Sequence, residues 1–147
     1  MNTDTELQSD VKQKILDILD SYEAIMVATT GGELSPWILG AYFGHEDLKI
    51  YLLLETHGKS FGNLKLNKSV AISISRNDAM QDFLQASGKA VIMDVSEDKF
   101  VRDLILKKMP SFQTYTPVTP VKIEIEKFFV TSLERGWFPA KQLAVSS

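Results

Sequence analysis

The 147-residue sequence contains no cysteine and only two histidines, His45 and His57. Without cysteine the chain forms no structural disulfide, offers no thiolate to a metal and has no thiol nucleophile. Two imidazoles without a thiolate partner also argue against the ligand sets of zinc enzymes. The sequence therefore assigns neither a metal ligand nor a covalent catalytic residue.

A basic excess and a long apolar run are also missing. The net charge is −3 and the sequence pI is about 5.4, whereas surfaces that bind nucleic acid carry a basic stripe. The first ten residues, MNTDTELQSD, are polar and acidic, and no apolar run long enough to cross a bilayer follows them. We expect a cytoplasmic protein with no nucleic-acid partner and no membrane partner.

The hydrophobic fraction of 44% and the chain length are typical of one domain with a full core. Thr3 and Glu6 have the spacing of a capping box, and apolar residues follow at steps of three and four. This pattern predicts an amphipathic helix over residues 4–22. We expect a barrel over about 24–133 and an irregular tail over 134–147, all within a single domain.

Six segments have the composition or alternation of β-strands, and short connections join most of them. Gly31 and Gly32 predict a tight turn, and Pro36 is expected at a strand start, an edge or a bulge. Gly88 predicts a bulge or a close backbone approach. A second helix is expected to open at Ser96. We predict a mainly β, α+β fold with a six-stranded antiparallel sheet closed into a barrel, its strands at 24–30, 34–43, 48–55, 69–75, 83–95 and 121–133.

The connector between the third and fourth predicted strands, THGKSFGNLKLN (residues 56–67), carries the most informative chemistry. Phe61 and Leu64 have the spacing of a short helix, with Gly58, Lys59 and Ser60 at its start. A helix start presents unpaired N–H groups and partial positive charge, which suit a phosphate monoester. Taken alone, the pattern has a second interpretation, in which Ser60 caps the helix and Lys59 is a solvated charge.

The order of these elements resembles the pyridoxamine 5′-phosphate oxidase-like superfamily, the FMN-binding split β-barrels, from about residue 11 to residue 138. The family's N-L-x-x-N-P-x-V stretch is matched by Asn63, Leu64, Asn67 and Val70, with Lys68 in place of the proline. The resemblance implies a split barrel that binds FMN. It also implies a homodimer whose two cofactor sites lie at the interface and use both chains.

The resemblance also implies roles for particular residues. Lys59 and Ser60 would hold the flavin phosphate, and the end of the third strand would run under the ribityl chain and ring, mostly through backbone groups. Gln85 would either reach the flavin of the neighbouring subunit or be a solvated strand residue. Trp137 would either plug a barrel end or flank a flavin, and His57 would either donate to a ligand or be exposed. The predicted cofactor-binding residues are Leu53, Leu54, Glu55, Thr56, His57, Lys59, Ser60, Asn63, Gln85 and Trp137.

Two departures from the family bear on function. Many members carry a basic residue on the second strand, and residues 34–43 contain none. True pyridoxamine phosphate oxidases have a longer C-terminal segment with tryptophan and arginines, to which only Arg135 and Trp137 correspond. We therefore predict an FMN-dependent oxidoreductase acting on a small molecule other than vitamin B6. The alternatives are a split-barrel dimer that binds a deazaflavin or haem, with His57 as axial ligand, and a non-catalytic binding module that has lost the flavin.

Overall fold

The computed structural model describes residues 4–145, so the capping-box prediction for Thr3 lies outside the described residues. This part of the chain contains three α-helices, eight β-strands and one 3₁₀ turn at Val95–Glu97. None of these helices is long and apolar enough to cross a membrane. The bounds are α1 Asp4–Ser21, β1 Ala24–Thr29, β2 Trp37–Tyr42, β3 Gly44–Glu46, β4 Lys49–Glu55, α2 Lys59–Leu66, β5 Ser69–Ile74, β6 Phe83–Ile92, α3 Asp98–Lys108, β7 Val118–Ser132 and β8 Trp137–Ala144.

The strands form one antiparallel sheet in the order β2-β1-β5-β6-β7-β4-β3, and β8 also pairs with β7. The sheet curls into a half-barrel whose end strands, β2 and β3, are not paired with each other. β3 covers only the first three residues of β4, Lys49–Tyr51. The remainder of β4 therefore has an open edge, which faces β2 across the split. The predicted α+β split-barrel architecture is confirmed.

The predicted number of six strands is wrong, because two segments taken as irregular are strands. The GHED turn contains β3, which pairs with the start of β4. The tail contains β8, which pairs with β7 over Lys127–Ser132, beyond the segment of β7 that β4 covers. A strand of 15 residues leaves part of its edge unpaired unless a further strand covers it. Pro139 and the weak alternation of the tail hid β8 from pattern analysis.

The main core lies between α1 and the concave face of the sheet, where Val11, Ile15 and Leu19 are buried. A smaller cluster, Tyr51, Leu53, Val101 and Ile105, joins β4 to α3 on the other face. The predicted irregularity at Gly88 is confirmed. The register of β6 and β7 shifts there, and a Cβ at Gly88 would collide with the carbonyl oxygen of Glu124.

Lys108, at the end of α3, ties that helix to the end of α1. Its Nζ donates hydrogen bonds to the carbonyl oxygens of Leu19 (3.1 Å) and Tyr22 (2.9 Å), and lies 3.3 Å from the ring centroid of Phe43. Burial lowers the pKa of Lys108 to about 8, and this effect outweighs the attraction of Asp20 and Glu23.

This ionisation predicts a pH dependence of stability. The unfolded chain holds the Lys108 proton up to about pH 10.5, whereas the folded chain releases it near pH 8, so deprotonation favours folding between these values. The free energy of unfolding should therefore rise relative to Lys108→Met between pH 8 and pH 10.5. Urea unfolding of both proteins across this range measures the difference, and parallel profiles would contradict the assignment.

Candidate functional site

The connector forms α2, which begins at Lys59 with Gly58 as its N-cap. Because Gly58 has no side chain, no side-chain hydrogen bond caps the helix. The first N–H groups of an α-helix have no acceptor within the helix, so this start retains its capacity for an anion. Lys59 is exposed at the same position. The alternative interpretation that Ser60 caps the helix is wrong, because Ser60 lies inside the first turn.

Ser60 is a buried side chain with an unused hydroxyl. It is 3% exposed, and its Oγ is the one buried side-chain polar atom between residues 4 and 145 that lacks a hydrogen-bond partner. Leaving a buried polar group unpaired costs about 1–3 kcal/mol. Ser60 lies inside the first turn of α2 and is not among the residues that line the cavity at the start of this helix.

A cavity of about 480 Å³, which we call the connector cavity, opens at the start of α2. His57, Gly58 and Lys59 form one wall, and Glu33 and Leu34 of the turn after β1 form another. Its volume lies in the usual range for cofactor sites. Lys59 is the one lysine or arginine among the described lining residues, so the positive charge of the cavity rests on it.

Asn63 joins α2 to the turn between β1 and β2. Its Nδ2 donates to Thr29 Oγ1 (3.0 Å) and to the carbonyl oxygen of Leu34 (2.9 Å), while its Oδ1 accepts from the Gly32 N–H (2.9 Å). Any side chain at Gly32 would collide with Asn63 Oδ1. Asn63 is 3% exposed, and both of its amide hydrogens are used. It is thus a positioning residue for the wall of the connector cavity.

Residues at the end of β4 line a second cavity. Leu54 points into the main core, whereas Leu53 and Glu55 line the second cavity. Thr56 is held in place, since its N–H donates to the Pro117 carbonyl oxygen (2.9 Å) and its Oγ1 lies 2.8 Å from Thr119 Oγ1. The predicted strand-end residues therefore face different environments, and only alternate ones are open to a ligand.

The second cavity, which we call the split cavity, has a volume of about 460 Å³ and lies between β2 and the open edge of β4. Residues 112–116 cover it, and the ring of Phe112 packs edge-to-face on Tyr42 at 6.2 Å. From the sequence alone, residues 111–120 are predicted to form a loop. Its one usable signal was the pair of aromatic residues, Phe112 and Tyr115, in an otherwise polar stretch.

Gln85 and Trp137 line neither of these two cavities. Gln85 is exposed on β6, opposite Ser73 and Phe129. Trp137 is 7% exposed and belongs to the main core, with the guanidinium of Arg135 5.1 Å from its ring centroid. This placement supports the structural interpretation of Trp137. A contact of Gln85 with the site of a second subunit stays a prediction.

The histidines have separate roles. His57 is exposed and lines the connector cavity. His45 is fixed near its turn, with Nε2 2.6 Å from Asp20 Oδ1 and Nδ1 2.8 Å from the Asp47 carbonyl oxygen. Residues 4–145 contain no cluster of three or more histidine and acidic side chains able to hold a metal ion.

No protein-family model and no curated protein matches this chain. Solved structures do match. A protein assigned as a pyridoxamine 5′-phosphate oxidase from Listeria innocua is 22% identical, with a TM-score of 0.67 over 82% of this chain and 97% of that one. General Stress Protein 26 of Bacillus anthracis is 20% identical, with a TM-score of 0.69 over 92% and 98%.

The chain has the split-barrel fold of the pyridoxamine 5′-phosphate oxidase-like superfamily. The same fold occurs in the heme storage protein of Vibrio cholerae, which is 16% identical with a TM-score of 0.65 over 84% of this chain and 98% of that one. The resemblance seen in the connector is thus confirmed for the fold. Because one of these proteins is named for heme and the other two names state no cofactor, the ligand has to be argued from the cavities.

Replacement of Asn63 by alanine tests whether its hydrogen bonds hold α2 against the β1–β2 turn. Asn63→Ala leaves the buried Thr29 hydroxyl and the Gly32 and Leu34 backbone groups without their partner, and should lower the free energy of unfolding by about 1–3 kcal/mol. Amide exchange at Gly32 should accelerate. Gln81→Ala, at an exposed position, is the control. Unchanged exchange at Gly32 would show that the turn does not depend on Asn63.

Proposed function

We propose that this chain binds FMN and acts as a flavoprotein oxidoreductase on a small molecule. The observation that carries the proposal is the uncapped start of α2, which presents Lys59 and free N–H groups to the connector cavity. An N–H cluster combined with one ammonium group is well suited to a phosphate monoester. Ser60 follows Lys59 in the first turn of α2 and its hydroxyl has no partner in the described part of the chain, but it does not line the connector cavity, so Lys59 and the N–H groups carry the proposal.

The open edge of β4 supports a place for the flavin ring beside the phosphate site. β4 pairs with β7 over Ile50–Glu55, but β3 covers only its beginning. In an antiparallel strand, alternate residues direct both backbone groups to the same edge. Some N–H and C=O groups of Leu52–Glu55 therefore face the split, where they would hydrogen-bond to ring nitrogen and oxygen atoms. When bound, FMN supplies the redox chemistry, and the protein binds and orients it.

The connector explains how the site would work without a basic residue on β2. Lys59 supplies the positive charge, His57 adds a ring donor, and Asn63 holds the opposite wall at a fixed distance. Glu33 lies on that wall and disfavours additional negative charge. The cavity therefore fits one phosphate group better than a longer polyanionic tail, which favours FMN over a deazaflavin cofactor.

We further propose that the chain forms a homodimer through the outer face of β1 and β2. Met26, Ile38 and Tyr42 are 41%, 59% and 43% exposed there, although all three are large and apolar or aromatic. Contiguous exposed apolar surface on a soluble protein commonly marks an interaction site. This face borders the split cavity through Tyr42, so a partner on it would lie close to the proposed ring site.

Haem is the second candidate ligand, because His57 is exposed on the connector cavity and a solved structure of this fold is a heme storage protein. An imidazole in this position is able to serve as an axial ligand. The two candidates separate spectroscopically. Haem ligation by His57 would give a Soret band that His57→Ala shifts or abolishes, whereas the FMN proposal expects no such band.

Lys59→Ala tests the phosphate assignment. Loss of a charge-assisted interaction of about 1.5 kcal/mol should weaken FMN binding about tenfold, with thermal stability unchanged because Lys59 is exposed. Quenching of flavin fluorescence measures the affinity. Lys65→Ala is the matched control, since it removes the same charge from an exposed position in the last turn of the same helix. Equal losses in both variants would contradict a specific role for Lys59.

The proposed dimer face is tested by Ile38→Glu. A carboxylate placed in an apolar interface should shift the protein from dimer to monomer in sedimentation velocity. Val95→Glu is the control, because Val95 is 69% exposed on the 3₁₀ turn, away from β1 and β2. A wild-type protein that sediments as a monomer at all concentrations would contradict the proposal.

A further inference from the structure

The lining of the split cavity has an unusual combination of aromatic rings and charge. Tyr42, Phe112 and Tyr115 present aromatic rings, while Leu53 and Val118 add apolar surface. Glu55 is the one charged side chain among the described lining residues. Its carboxylate is exposed and has no hydrogen-bond or ion-pair partner among residues 4–145. The cavity thus has negative charge available for a ligand and no positive charge.

A basic group beside the ring of Phe112 does not change this balance. The guanidinium of Arg102 lies 6.0 Å from the ring centroid of Phe112. It forms a paired interaction with Asp98, at 2.8 and 3.0 Å, and a third hydrogen bond to Thr114 Oγ1 at 3.2 Å. Asp98 neutralises its charge, and Arg102 itself does not line the cavity. Through its hydrogen bond to Thr114, Arg102 holds the segment that covers the cavity, residues 112–116, in place.

Aromatic faces attract cations because the quadrupole of each ring places negative potential above its plane. A carboxylate acts in the same direction. Rings and carboxylate together therefore favour a cation, whereas a phosphate or carboxylate ligand would find no counter-charge in this cavity.

From this lining we propose that the split cavity binds a small organic cation with an aromatic body, such as a protonated arylalkylamine. The apolar surface of Leu53 and Val118 would cover the body, and Glu55 with the rings of Phe112 and Tyr115 would receive the ammonium group. That this ligand is the substrate rests on the proposed flavoprotein function. The binding preference itself does not depend on a flavin.

Three ligands of similar size and different charge test the preference: phenethylamine as cation, 2-phenylethanol as neutral compound and 3-phenylpropanoate as anion. Their affinities are measured by calorimetry or ligand-observed NMR at pH 7 on the purified full chain, freed of any flavin. We expect the amine to bind about fivefold more tightly than the alcohol, and the anion to bind most weakly.

Two variants and one control locate the effect. Glu55→Gln should bring the affinity for the amine close to that for the alcohol. The control is Glu126→Gln, at an exposed position on β7 that lines neither cavity, and it should leave the ratio of the amine affinity to the alcohol affinity unchanged. Phe112→Leu should weaken the amine more than the alcohol, because it removes the ring and keeps apolar volume.

Equal affinities for the three ligands, preference for the anion, absence of binding, or a ratio that Glu55→Gln does not change would overturn the proposal. A titration of the same protein with FMN tests the flavoprotein proposal independently of the cation preference. Cation preference without FMN binding would remove the flavoprotein proposal and retain this site, and FMN binding without cation preference would do the reverse.

Discussion

The pairing of β7 is the constraint on which the rest of this structure depends. Its 15 residues pair with β6 along one edge, and with β4 and then β8 along the other. β4 is thereby fixed on one side only, because β3 covers just its first three residues. The sheet cannot close at this point, and the unpaired edge of β4 becomes one side of the split. Both cavities lie next to the end of this strand.

Much of this arrangement could be predicted from residue patterns. The strand predicted at 121–133 overlaps most of β7, in which Val121, Ile123 and Ile125 alternate with more exposed polar residues and are buried, and Gly88 correctly indicated a register shift. The start of α2 at Lys59 followed from the spacing of Phe61 and Leu64. These features depend on local periodicity and on backbone sterics, which the order of residues expresses directly.

Other features depend on partners that are distant in sequence, and pattern analysis missed them. β3 and β8 exist because neighbouring strands offer free edges, whereas their own sequences carry little alternation. The role of Asn63 could not be predicted, because it depends on the packing of the turn at Gly32 against α2. The covering loop at residues 112–116 looked irregular, and only the fold shows that Phe112 meets Tyr42 across the split. The burial of Trp137 likewise follows from β8.

The two cavities divide the chemistry of the proposed site between them. The connector cavity has one lysine and an open helix start, and so suits a single phosphate group. The split cavity has aromatic rings and one carboxylate, and so suits a cation. The most direct test of the central claim is a titration of the flavin-free protein with FMN and with riboflavin. The account predicts tight binding of FMN and much weaker binding of riboflavin, because the phosphate is the group that is recognised. Equal affinity for the two flavins, or binding of neither, would contradict it.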